Sequence, residues 1–126
     1  MSAPVADTAL PLVAVISGVP LLSEAVEEAL QGMAEVRSFP AGGGDTDGFL
    51  RFLRPDAVVV DSADEARAAV RFVRDAGATL VHVSLPDRRL RLLRTGGWVE
   101  YTNGSASPER LRSALAAGLL RRRSHA

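Results

Sequence analysis

Cysteine is absent from this chain of 126 residues, and so is lysine: all 15 basic residues are arginine. Without cysteine there is no disulfide, no thiolate metal ligand and no thiol nucleophile. Without lysine there is no Schiff base and no P-loop lysine. Histidine occurs only at positions 82 and 125, and aromatic residues make up 5% of the chain. A zinc cage would need several carboxylates, and no closely spaced ligand set is visible, so neither metal nor cofactor is expected. Long apolar runs are missing too. The most apolar stretch, Leu10 to Leu22, is interrupted by Pro11, Ser17, Gly18 and Pro20 and is too short to span a bilayer. Only Asp7 is charged ahead of it, which does not suit a secretory signal. A cytoplasmic protein without membrane association is expected.

What is present is ordinary for a folded domain, with 47% hydrophobic and 24% charged residues. The length fits one domain with enough chain to bury a core. The formal net charge is zero, yet residues 1–85 carry 12 acids and 6 arginines, whereas residues 86–126 carry 9 arginines and 3 acids. Such asymmetry suits an acidic partner, nucleic acid included, or a self-complementary contact between copies; a solvated basic helix and tail accounts for it equally well.

Residues 1–10 read as a flexible lead-in, 11–120 as one domain and 121–126 as a basic tail. Leu12 to Ile16 is apolar on both faces, as a strand between two helix layers requires. Pro20 suits a first helical position, and Leu21, Leu22, Ala25, Val26, Ala29, Leu30 and Met33 follow at helical spacing. Ala34 to Phe39 is a short, more exposed strand, and Gly42 to Gly44 a flexible loop without nucleotide-binding spacing. Phe49 to Leu53 fits a second helix stopped before Pro55. Ala57 to Asp61 is the clearest strand, and Ser62 with Glu65 matches a capping box opening a helix that Gly77 ends. Thr79 to Ser84 predicts a fourth strand, Pro86 to Thr95 an arginine-rich fourth helix, and Trp98 to Thr102 a fifth strand. Ser107-Pro108-Glu109 opens the last helix. The expected fold is α/β, flavodoxin-like: a five-stranded parallel sheet of order 2-1-3-4-5 with helices on both faces. In such sheets ligands bind beyond the carboxyl ends of the strands, where Ser17, Gly18, Asp61, Ser62 and Ser84 fall.

Across about residues 12–120 the chain resembles the receiver domain of bacterial response regulators, the signalling modules of two-component systems. Pro55 to Asp61 is similar to the strand ending in that family's phosphoaccepting aspartate, which the resemblance places at Asp61. Ile16 to Leu22 resembles the segment in which two adjacent acids precede a proline-started helix. Val81 to Ser84 resembles the strand whose last residue is the family's switch Thr or Ser. Gly96 to Trp98 and Ser107 to Leu111 resemble the approach to the fifth strand and the start of the last helix. The departures concern chemistry. Ser17 and Gly18 stand where the acidic pair helps hold Mg²⁺, and no lysine or arginine lies among Tyr101 to Gly104, where the family's lysine is expected. Both missing parts stabilise charge in phosphoryl transfer.

The resemblance thus implies a degenerate, or pseudo-receiver, domain acting through a protein partner, a second copy included, without catalysis. Receiver domains commonly meet partners through the fourth helix, fifth strand and last helix, so Arg88, Arg91, Leu92, Trp98 and Tyr101 are the interface candidates. Alternatives are a phosphorylatable receiver using Asp61 with borrowed metal ligands, and a small-molecule binder using the strand-end crevice. Nucleic-acid binding through the basic half is disfavoured by the lack of a recognition helix. A hydrolase triad drawn from Ser17, His82, Ser84 and Asp61 lacks a nucleophile elbow, and a hydrogen-bonded core role suits His82 better.

Overall fold

The apolar run Leu12–Ile16 forms β1, and Val13 to Ile16 are buried because helices cover both sides of the strand. The computed structural model describes residues 10–42, 44–84, 89–94, 97–100 and 108–124. Pro20 opens α1 (Pro20–Ala29) at a position where no N–H is needed. Leu22, Val26 and Ala29 turn inward from it, while Glu24, Glu27 and Glu28 face solvent. β2 (Glu35–Phe39) is largely exposed. Asp45 caps α2 (Thr46–Leu53), its carboxylate accepting the Gly48 N–H at 3.0 Å. β3 (Ala57–Val60) is wholly buried. Ser62 then caps α3 (Ala63–Ala76) by accepting the N–H groups of Asp64 and Glu65, and Gly77, at φ 71°, closes that helix.

The chain continues as β4 (Thr79–Ser84), β5 (Arg89–Arg94), β6 (Gly97–Glu100) and α4 (Pro108–Ser124). The sheet runs β2-β1-β3-β4-β5-β6. β1 pairs in parallel with β2 and β3, and β3 with β4. β5 is antiparallel to both β4 and β6. Among the described residues the fold is therefore α/β with a mixed sheet of six strands and four helices. The 2-1-3-4 part of the expected order is present; the all-parallel five-stranded sheet is not.

The difference lies in the segment expected to be the fourth helix. Arg89, Leu90, Arg91 and Leu92 alternate, and in β5 that alternation sends Leu90 and Leu92 into the core while Arg89 stays exposed. Period two is a strand's period, and pairing with β4 satisfies the backbone of both. The Trp98 strand forms as β6, beginning one residue earlier and pairing with β5, its Gly97 opposite Arg94. Ser107 lies outside the described residues, and Arg121 to Arg123, expected in a tail, fall within α4.

Two cores flank the sheet. On one side α1 and α4 close over Val13, Val15, Val59, Val81, Leu90 and Leu92. On the other, α2 and α3 cover Ala14, Ile16, Val58, Val60 and Leu80. Gly118 lets α4 approach β4 closely: a Cβ there would overlap the side chain of Thr79.

Candidate functional site at the carboxyl ends of the strands

β1 passes to β2 on one side and the chain then returns to β3 on the other, so the winding reverses between β1 and β3. Ile16 pairs with Val60 across that boundary. Ser17 and Asp61 follow directly, and the Ser17 hydroxyl donates to Asp61 Oδ2 at 2.6 Å. The same Oγ accepts the Val19 N–H at 2.8 Å, which fixes the turn into α1. Both residues are half-buried. Gly18 is exposed, with open space where a side chain would start. Ser62 is committed to capping α3 through its hydroxyl. Ser84 closes β4, half-buried and opposite Arg89.

A second group lies on the α2–α3 side of the sheet. His82 of β4 is 7% exposed, and Arg91 Nη2 donates to its Nδ1 at 2.6 Å, which places the neutral ring's proton on Nε2. The Arg91 guanidinium sits 5.1 Å from the centre of the Trp98 ring, in reach of a cation–π interaction. Trp98 meets His82 edge-on, with centroids 6.2 Å apart. Burial, and after it the Arg91 charge, lowers the His82 pKa, while the Asp61 carboxylate raises it by less. Ser17 therefore hydrogen-bonds to a carboxylate, and His82 to a guanidinium. This is not the geometry of a nucleophile with its base.

The interface candidates separate. Arg91 and Trp98 come together, on a hairpin rather than on a helix. Leu92 is 1% exposed and is core; the strand's alternation turns it inward. Arg88 and Tyr101 lie outside the described residues.

Glu65 acquires a role that its sequence position did not reveal. The capping box forms only in its hydroxyl half. The Glu65 side chain is buried and accepts the Gly42 N–H at 2.6 Å and the Thr46 hydroxyl at 2.8 Å, tying the loop before α2 to α3. Beside that loop is an apolar cavity of about 210 Å³, lined by Ile16, Phe39, Pro40, Asp45, Thr46 and Phe49. Phe39 and Phe49 pack edge to face in its wall, with centroids 4.6 Å apart.

The site does not fit the Mg²⁺ that the receiver resemblance implies. Asp61 is the one carboxylate among Ser17, Gly18 and Asp61, and among the described residues no three acidic or histidine side chains converge as a metal site. Among the described residues, no helix is long and apolar enough to cross a membrane. In comparisons with known proteins, no family model, no curated protein and no solved structure matches this chain.

Proposed function

We propose that the chain is a receiver-like regulatory domain that works by contact with a protein partner, without phosphorylation and without catalysis. The observation that carries this reading is the 2.6 Å bond from Ser17 to Asp61. A hydroxyl lies beside the carboxylate where the resemblance would have an acid and its cation. An acceptor aspartate needs positive charge to offset that of the incoming phosphoryl group, and such electrostatic terms dominate the reaction. Ser17 supplies a hydrogen bond and no charge.

The test is a melting-temperature measurement with Mg²⁺ and beryllofluoride, a mimic of aspartyl phosphate. No shift is expected. A ligand binding only the folded state would stabilise it by roughly 2.7 kcal/mol at a hundredfold excess over Kd. A shift of that kind, lost in Asp61→Asn, would instead make the chain a phosphorylatable receiver.

The apolar cavity by Phe39 and Phe49 favours a second reading, a small-molecule binder. At about 210 Å³ it is smaller than the roughly 300–1,000 Å³ usual for ligand pockets. A ligand copurifying with the protein, or absorbance above that of its own aromatics, would support this second reading.

A further inference from the structure

The two edges of the sheet differ. β2 presents Glu35 and Arg37, both exposed and ion-paired at 2.8 Å, and charge on an edge discourages the addition of another strand. β6 carries one charged residue, Glu100, and no proline, and its Val99 is 50% exposed. No described strand pairs with its outer side. Its faces are distinct. Val99 pairs with Leu92, on the side of α1 and α4, whereas Trp98 and Glu100 pair with Leu93 and Arg91 on the other.

We propose that β6 pairs antiparallel with β6 of a second copy about a two-fold axis at Val99, so that the sheet continues from one molecule into the next. The inference rests on reading the chain as an interaction domain and specifies one of its contacts. Partners in an antiparallel pair share a face, so only registers joining residues of equal parity keep like faces together. A pairing centred on Val99 sets the two exposed valines against each other on the α1–α4 side. It also puts Glu100 opposite the partner's Trp98, which already carries the partner's Arg91 guanidinium on its ring. Among the described residues Glu100 is ion-paired with its own Arg89 at 3.3 Å, the two side chains being 47% and 63% exposed, and lies opposite its own Arg91 in the sheet. Its carboxylate can therefore meet a second cation. A pairing centred on Trp98 instead sets Val99 against the partner's Gly97 and loses this match of acid to arginine.

The chain has no cysteine, so a single introduced thiol reports the register directly. Directly opposed Cβ atoms lie about 4.5–5.5 Å apart, which a disulfide closes with small adjustment. Under mild oxidation Val99→Cys is expected to form a covalent dimer about tenfold or more faster than Arg37→Cys on the β2 edge, because paired thiols react at millimolar effective concentration. By sedimentation, the wild-type chain is expected to move from monomer to dimer with concentration, less so at high salt. Val99→Lys opposes two ammonium groups on the axis and should stay monomeric with an unchanged circular dichroism spectrum, since the position is half exposed. Equal cross-linking from positions 37 and 99, a wild-type chain that stays monomeric, or a dimer that survives Val99→Lys would each overturn the proposal. Survival in Val99→Lys would move the contact to another surface and leave the interaction-domain reading standing. That reading falls only on the separate result of beryllofluoride stabilisation lost in Asp61→Asn.

Discussion

At the scale of single residues, burial and Arg91 both hold the His82 imidazole neutral, against a smaller pull from Asp61. A histidine in the unfolded chain takes up its proton near pH 6.5. Below that pH the unfolded state binds a proton that the folded state still refuses, so stability falls until pH has passed through the lowered folded value. Urea midpoints are expected to drop from about pH 7 to pH 5 in the wild type and to drop less in His82→Gln; equal slopes would refute the assignment. Gly118 gives a second prediction. Gly118→Ala gains about 1 kcal/mol of helix propensity, but its methyl overlaps Thr79, and overpacking costs about 1–3 kcal/mol. A net loss of stability is expected in chemical denaturation, partly restored by adding Thr79→Ala, which removes two of the three overlapped atoms. Neither pairing was legible in the sequence. His82 with Arg91 and Gly118 with Thr79 are contacts made by the sheet and its layers, while local patterning reports only on neighbours along one element.

At the scale of elements, strands buried on both faces were plainly legible. β1, β3 and β4 are apolar on both faces and bounded by turn residues, and each forms where its composition points. α3 could be read from Ser62 at its start and Gly77 at its end. β5 could not, because arginine and leucine are good helix formers and Pro86 suits a helix start, so propensity and alternation conflict over the same residues. Tertiary pairing with β4 decides the outcome. The two conformations predict different mutational patterns. In the strand, Leu90→Ala and Leu92→Ala should each cost about 2–5 kcal/mol, and the half-buried Leu93→Ala less. A helix would put Leu93 on the same face as Leu90 and make those two the costly pair. Denaturant titration of the three variants distinguishes the patterns. Arg54, which ends α2 at φ 56°, adds a smaller test: Arg54→Gly relieves a left-handed conformation and should stabilise by up to about 1 kcal/mol.

At the scale of the whole molecule, the first four strands bring Ser17 and Asp61 together at the reversal of winding, and this was legible because chain order and burial fix it. The hairpin makes the other half different. It puts a cation, Arg91, on His82 and Trp98 and leaves Asp61 hydrogen-bonded to a hydroxyl. If that hydroxyl and the adjacent glycine are what separate this crevice from a cation site, introducing carboxylates should create one. Gly18 has ordinary backbone geometry and open space for a side chain, so Gly18→Asp is admissible, and Ser17→Asp brings a second acid beside Asp61. Without a cation, like charges in one crevice repel, and the double variant should melt below the wild type. Mg²⁺ should restore it, because three carboxylates supply the oxygen ligands a hard dication requires and binding to the folded state alone raises the melting temperature. The wild type should not respond to the same Mg²⁺. A wild-type shift equal to that of the double variant would mean that Asp61 already has the ligands it needs, and the phosphorylation-independent reading would fail with it.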